Sequence, residues 1–125
     1  MKLWTVALAL CSFSLPVLAA DFDSAGVQDE IDNCITRKNP LQEDWDFDLW
    51  GNRCDTDLDQ NRATSISDFS AFKTCFTQFG AGRCYNSACD FNSDGTIDDA
   101  DVIRLGRDLD SGAKPGPSGL RGEAP

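Results

Sequence analysis

The sequence has no histidine and no Cys-x-x-Cys pair, and its eleven lysines and arginines are outnumbered by 21 aspartates and glutamates. Because histidines and paired cysteines are the usual ligands of zinc, their absence argues against a zinc site. It also leaves Cys89 without the histidine base that activates a catalytic thiol. The formal net charge of -10 excludes nucleic acid as a natural partner and disfavours an anionic membrane surface.

The sequence also lacks an apolar run long enough to span a membrane. Its N-terminal apolar stretch, residues 3–15, follows Lys2 and precedes the small-residue pattern Val-Leu-Ala-Ala at 17–20. This arrangement is typical of a secretory signal peptide. We therefore expect residues 1–20 to be removed and the remainder to be secreted, extracellular, periplasmic or on the cell surface. A lipoprotein anchor at Cys11 is the alternative, but the apolar stretch continues past that cysteine.

Cysteine usage agrees with export. Five cysteines follow the expected cleavage site, an odd number, and disulfides persist in oxidising compartments. The preferred bridges are Cys34 to Cys54, and Cys75 to either Cys84 or Cys89. One thiol would then be free or intermolecular.

Aspartate is abundant and regularly spaced. Four twelve-residue frames begin and end with it: 21–32 (DFDSAGVQDEID), 44–55 (DWDFDLWGNRCD), 57–68 (DLDQNRATSISD) and 90–101 (DFNSDGTIDDAD). Each frame has oxygen-bearing side chains at positions 1, 3 and 12. A calcium loop supplies oxygens from positions 1, 3 and 5, a backbone carbonyl at 7, a side chain or water at 9 and a carboxylate at 12. Glycine at position 6 permits its sharp turn. The frames therefore predict calcium loops.

The frame 90–101 matches this pattern best. Gly95 stands at position 6 and Ile97 provides an apolar anchor at position 8. A solvated Asx-turn would explain neither Ile97 nor the acid at position 12. The predicted ligands are Asp90, Asn92, Asp94, the Thr96 carbonyl, Asp98 and Asp101.

The frame 57–68 is a degraded version of the same loop. Arg62 replaces the glycine, and Thr64 replaces the apolar anchor. Arg62 would have to adopt a left-handed conformation, at a cost of roughly 1 kcal/mol or more. Its predicted ligands are Asp57, Asp59, Asn61 and Asp68.

The frame 44–55 admits two interpretations. Alternation of acids with aromatic residues over 44–48 is also typical of a β-strand. The alternation breaks at Leu49-Trp50-Gly51, which favours a loop. The predicted ligands are Asp44, Asp46, Asp48, the Trp50 carbonyl and Asp55.

Apolar stripes follow two of the loops. Phe69, Phe72 and Phe76 repeat the spacing of Val102, Leu105 and Leu109, and each pair is offset by 33 residues, as are the loops. This spacing predicts two loop-helix units, 57–79 and 90–109, packed face to face.

This pair of units resembles the dockerin type I repeat, a loop-helix half of an EF-hand used twice. The preceding segment resembles thrombospondin type 3 repeats, and the matching residues are Asp-Asn-Cys at 32–34, Asn-Pro-Leu-Gln at 39–42, the aspartates of 44–48, Gly51 and Cys-Asp at 54–55. The second resemblance implies an irregular segment organised by calcium and disulfides, including a Cys34–Cys54 bridge.

The chain departs from both families. Ala25 removes the position 5 ligand, so the frame 21–32 is expected to bind weakly or not at all. Phe47 and Leu49 stand where type 3 repeats commonly have glycine. Dockerins bind cohesins through residues near positions 10 and 11, often hydroxylic, and only Ser67 is hydroxylic there, so cohesin docking is not supported.

The expected organisation is a signal peptide (1–20), a type 3-like segment (21–56), a dockerin-like pair (57–110) and a disordered Pro/Gly-rich tail (111–125). The fold class is a small, mostly irregular protein organised by calcium and disulfides, with two loop-helix units preceded by type 3 repeat-like coil. The chain is not expected to be an enzyme. A glycosidase dyad of paired acids is the alternative, but so short a chain has little capacity for a sugar-binding cleft.

The leading functional hypothesis is a secreted calcium-binding module that mediates protein–protein or surface attachment through an extracellular protein partner. A second is a non-catalytic dockerin-like appendage of an exported polysaccharide-degrading system. The third is a calcium-stabilised spacer without a partner.

Overall fold

The computed structural model describes residues 19–79 and 87–125. Most of the expected signal peptide, and Cys84, lie outside these ranges. Two α-helices lie within these described ranges, α1 (Ile66–Phe79) and α2 (Asp99–Ser111). Short 3-10 turns occur at Asp29–Ile31, Ser87–Cys89 and Gly119–Arg121. No strand occurs in the described ranges, so 44–48 is a loop and its strand interpretation is wrong.

Each helix begins at the end of an aspartate frame. At the start of α2 the Asp98 carboxylate accepts from the Ala100 amide at 2.8 Å, and the Asp101 carboxylate accepts from the Asp98 amide at 3.0 Å. This reciprocal capping satisfies amides that a helix start leaves unpaired. The Asp68 carboxylate similarly accepts from the Ser65 amide at 2.7 Å, just before α1. The last acid of the frames 57–68 and 90–101 thus also caps the start of a helix.

A small apolar core contains residues from both α-helices. It contains Phe72 of α1, Leu105 of α2, and Cys89, Phe91 and Ile97 from the segment between them. The predicted stripes contribute unequally, because Phe72 and Leu105 are buried whereas Phe69 and Phe76 are 41% and 42% exposed. Packing along the full length of both stripes therefore stays a prediction.

The described residues form two disulfides, Cys34–Cys54 and Cys75–Cys89. The first was the preferred pairing, and the second is one of the two alternatives for Cys75. The second bond ties α1 to the Ser87–Cys89 turn beside the core. Two such bonds indicate an extracellular or otherwise oxidising environment.

Loss of the Cys34–Cys54 bridge is expected to lower the free energy of unfolding by about 3 kcal/mol, because the bond restricts the unfolded chain. The double variant Cys34→Ala/Cys54→Ala should therefore melt well below the parent in calcium-containing buffer. The Cys75→Ala/Cys89→Ala variant is the control for a bridge of similar span. Identical melting of the first variant and the parent would contradict this expectation.

The C-terminal segment differs from the disordered tail that its composition predicts. The Gly119 amide donates to the Asp32 carbonyl at 2.8 Å, and the Ile35 amide donates to the Pro117 carbonyl at 3.1 Å. The Ser118 side chain is completely buried. This segment is ordered by backbone hydrogen bonds to residues such as Asp32 and Ile35 rather than by apolar burial, so its low apolar content was not informative.

Within the described residues no helix is both long and apolar enough to cross a membrane.

Candidate metal centre

All four aspartate frames adopt the same turn. Positions 4 and 6 have positive φ in every frame: Ser24 60° and Gly26 87°, Phe47 61° and Leu49 78°, Gln60 59° and Arg62 74°, Ser93 56° and Gly95 89°. Only two of these eight residues are glycine, although the left-handed region disfavours side chains with a Cβ. The shared turn therefore overrides local preference, including the predicted strain at Arg62.

The first carboxylate of each frame holds this turn together. Its Oδ2 accepts from the amide of position 6, and the donor–acceptor pairs are Gly26 to Asp21 at 3.0 Å, Leu49 to Asp44 at 3.0 Å, Gly95 to Asp90 at 2.9 Å, and Arg62 to Asp57. These bonds fix the carboxylate inside the bend, where the later oxygens of the frame can approach it.

The last carboxylate is used differently in the two halves of the chain. In the frames 57–68 and 90–101 it folds back onto its own loop: Asp68 accepts from the Asp59 amide at 3.1 Å, and Asp101 from the Phe91 amide at 2.9 Å. In the frames 21–32 and 44–55 it accepts from a following amide, as Asp55 does from Asp57 at 2.7 Å. The latter arrangement links the frames 44–55 and 57–68 directly.

Two frames bring three predicted ligands together. Within each group, one carboxylate oxygen from every member lies within 4.8 Å of the others, and the groups are Asp44, Asp46 and Asp48, and Asp57, Asp59 and Asp68. Like charges at this separation repel strongly unless a cation or a proton intervenes.

Asp55, the twelfth residue of the frame 44–55, lies beside the first group. Burial, together with the negative charges of Asp48, Asp46 and Asp57, raises the pKa of Asp55 to about 9. Burial and the neighbouring Asp48 and Asp44 raise the pKa of Asp46 to about 6. Burial also raises the pKa of Asp48. Four predicted ligands, Asp44, Asp46, Asp48 and Asp55, therefore lie close enough for their negative charges to oppose one another's ionisation.

The frame 90–101, the best match by spacing, gathers no such trio among the described residues. Its position 3 is an amide, Asn92, which donates to the Asp94 carboxylate at 2.9 Å. The Thr96 hydroxyl donates to the other Asp94 oxygen at 2.6 Å, and this bond lowers the pKa of the exposed Asp94. Asp98 caps α2. The acids of this frame are therefore engaged by local donors.

The first frame contains a signal that the sequence interpretation missed. Asp32 is completely buried, yet its Oδ2 accepts no hydrogen bond, and the Asp23 Oδ2 is likewise buried without a partner. Burial and the nearby Asp32 charge are among the causes that raise the pKa of Asp23. Asp48 Oδ2 in the second frame is a third buried oxygen without a donor. Burial of Asp32 was not visible in the sequence, where Ala25 dominated the expectation.

Burial distinguishes the ends of the frames from their middles. Seven aspartates are buried among the described residues, and six of them occupy position 1 or 12 of a frame: Asp32, Asp55, Asp57, Asp68, Asp90 and Asp101. The seventh, Asp108, is neutralised by Arg104 Nε at 2.6 Å and accepts from the Thr56 hydroxyl at 3.1 Å. Both ion pairs found within the described ranges involve Asp108.

Comparison of the chain with protein-family models, curated proteins and solved structures gives no match. The resemblances to type 3 and dockerin repeats therefore rest on the quoted motifs alone.

Proposed function

We propose that this protein is a secreted calcium-binding module whose aspartate frames hold the ions. The observation that carries the proposal is the burial of acids at the ends of the frames. A buried carboxylate without a counter-charge costs several kcal/mol. Arg104 supplies the counter-charge for Asp108. No ion pair in the described ranges involves the other buried acids Asp32, Asp55, Asp57, Asp68 and Asp101. A bound cation would neutralise these five.

The donor set favours calcium over other metals. The frames offer carboxylate, amide and backbone carbonyl oxygens, which suit a hard cation. Four of the cysteines are engaged in disulfides, so they offer no thiolates. Calcium is abundant outside cells, where modules bind it at roughly 10⁻⁴ to 10⁻³ M.

A different observation favours calcium binding at each frame. The frames 44–55 and 57–68 gather carboxylates, the frame 90–101 has the best spacing, and the frame 21–32 has the unpartnered oxygens of Asp23 and Asp32. The proposed ligands are accordingly those predicted from the sequence, with Asp21, Asp23 and Asp32 added.

Terbium luminescence tests the second frame, because Trp45 and Trp50 lie within it and can transfer excitation to a bound lanthanide. Wild-type protein should luminesce when excited through tryptophan, and millimolar calcium should quench the signal. Asp46→Ala should abolish most of it. Asp110→Asn, an exposed acid at the end of α2, is the matched control and should behave as wild type. Equal luminescence of Asp46→Ala and wild type would remove this frame from the proposal.

The proposed role of the module is protein–protein or surface attachment. Trp45, Phe47 and Leu49 occupy positions 2, 4 and 6 of the second frame and are 51%, 82% and 45% exposed. Exposed apolar side chains close together in sequence favour an interaction role over a spacer. Because they alternate with the acids, an ion that orders the acids would also order these side chains.

Binding of labelled protein to cell-envelope preparations from the source organism tests this role. We expect binding in millimolar calcium, its loss in EGTA, and a reduction of about tenfold for Phe47→Ser. Ile103→Ser, which removes a similarly exposed apolar side chain from α2, is the control. Equal binding with and without calcium, or none under either condition, would contradict calcium-dependent attachment.

A further inference from the structure

The C-terminal residues 113–123 pack across two aspartate frames, 21–32 and 44–55. The Gly119 amide donates to the Asp32 carbonyl at 2.8 Å, at the last position of the first frame. The Ser118 hydroxyl donates to the Leu49 carbonyl at 2.6 Å, and Arg121 Nη1 donates to the Asp48 carbonyl at 2.6 Å, both in the second frame. The same short segment therefore contacts backbone that carries proposed ligands in both frames.

Side-chain contacts reinforce this crossing at Trp50. The Arg121 guanidinium lies 3.6 Å from the centroid of the Trp50 ring, and the indole Nε1 donates to Glu123 Oε2 at 3.0 Å. Glu123 Oε2 also accepts from the Ser118 amide at 2.8 Å. Trp50 is only 7% exposed and supplies the predicted carbonyl ligand at position 7. The tail thus covers Trp50, the residue at position 7 of the frame 44–55.

Close approach of the tail depends on glycine. A Cβ on Gly119 would collide with the Asp29 carbonyl, and a Cβ on Gly116 would lie 2.6 Å from the Trp50 Nε1. The tail can therefore pack against Asp29 and Trp50 only because these two positions lack side chains. A single added methyl group should displace it.

The second frame needs external support. Phe47 and Leu49 hold positive φ of 61° and 78°, a conformation that costs each of them free energy. Their strained turn keeps Asp44, Asp46 and Asp48 together, and mutual repulsion opposes that arrangement. Bonds from Ser118 and Arg121 to the carbonyls of this turn hold it from the outside, while an ion would hold it from within.

From these contacts we infer that residues 113–123 form a calcium-dependent latch. The latch docks when the frames 21–32 and 44–55 hold calcium and releases when their acids repel one another. The inference rests on the proposed calcium binding. Because coupling between binding events is reciprocal, the docked latch must raise calcium affinity by the same factor by which calcium favours docking.

Trypsin offers a direct measurement of docking. Arg121 is the one tryptic site in the tail, since Lys114 precedes proline. Cleavage requires the chain to open locally, so its rate follows the population of released latch. We expect cleavage after Arg121 in the intact protein to be about tenfold slower in millimolar calcium than in EGTA, with mass spectrometry identifying the loss of residues 122–125.

Gly119→Ala tests the reciprocal effect. It should bring the rate of cleavage at Arg121 in calcium close to the rate in EGTA and weaken calcium binding, followed by titration calorimetry, by about tenfold. Ser118→Ala, which removes one hydroxyl and leaves the backbone unhindered, should act in the same direction to a smaller extent. Leu120→Ala alters an exposed neighbour and is the control. The helical circular dichroism of each variant verifies that α1 and α2 are retained.

The outcomes separate the latch from the calcium proposal. Calcium binding by calorimetry with no change in cleavage at Arg121 would overturn the latch and leave calcium binding intact. The same holds if Gly119→Ala releases the tail without altering calcium affinity. Absence of calcium binding in the wild type would overturn both.

Discussion

Removal of calcium by EGTA is expected to expand the protein and to lower its melting temperature by on the order of 20 °C. A site whose dissociation constant is about tenfold below the free calcium concentration contributes about 1.4 kcal/mol to folding, so three or four such sites contribute about 5 kcal/mol. The core that remains is small, with Phe72, Phe91 and Leu105 as its largest members. The net charge of -10 then favours an open chain.

The measurement is thermal melting by circular dichroism, combined with hydrodynamic radius, in millimolar calcium and in EGTA at the same ionic strength. High concentrations of sodium chloride provide the informative control. If charge repulsion alone expands the chain, salt should restore the compact radius as well as calcium does. If the frames bind the ion specifically, only calcium should do so, and magnesium should be less effective. A radius and melting curve unaffected by EGTA would contradict ion-dependent folding.

Acidification is expected to stabilise the calcium-free protein and to destabilise the calcium-bound form. The pKa of Asp55 is raised from 3.8 to about 9, and that of Asp46 to about 6. A carboxyl whose pKa is higher in the folded state favours folding when protonated. Its contribution is fully present below its unfolded pKa and is lost as the pH rises through the folded value. Without calcium, the melting temperature should therefore fall between pH 5 and pH 9, by on the order of 10 °C.

Calcium should reverse this dependence. Protons compete with the ion for the same oxygens, so calcium affinity should decline as the pH falls through about 6, where Asp46 titrates. Melting temperatures measured with and without calcium should be similar at low pH and should differ increasingly as the pH rises. Parallel curves over this range would show that the acids around Asp55 do not hold the ion.

Asp55→Asn should isolate this effect in one variant. The amide cannot ionise, so folding no longer requires Asp55 to take up a proton, and the calcium-free protein should become more stable near neutral pH and lose most of its pH dependence. The same change should reduce the stabilisation that calcium provides. Asp108→Asn is the matched control, because Asp108 is also buried but has Arg104 as its partner. That variant should be destabilised equally with and without calcium.

Local spacing predicted much of the architecture. The Phe69-Phe72-Phe76 and Val102-Leu105-Leu109 patterns placed helices where α1 and α2 occur, because a helical period is written into neighbouring residues. The Cys34–Cys54 pairing was also anticipated. The bridge from Cys75 was left open between two cysteines, since the distance of each from α1 depends on the path of the intervening chain.

Spacing was less informative about which acids converge. It favoured the frame 90–101 for its glycine at position 6, yet the carboxylate trios lie in the frames 44–55 and 57–68, where Leu49 and Arg62 occupy that position. The turn tolerates these residues because the carboxylate at position 1 accepts the amide of position 6 whatever its side chain.

The sequence by itself determined the four aspartate frames and the positions of α1 and α2, because both depend on residue types at short, fixed separations. It only favoured the Cys34–Cys54 bridge, which the resemblance to type 3 repeats also implied. Only the tertiary structure decided that Asp32 and Asp55 are buried, and that the tail is ordered rather than free. Burial depends on what the rest of the chain places around a residue. The tail is held by backbone carbonyls some seventy residues earlier, as in the bond from Ser118 to Leu49, and such bonds leave no periodic trace in the sequence.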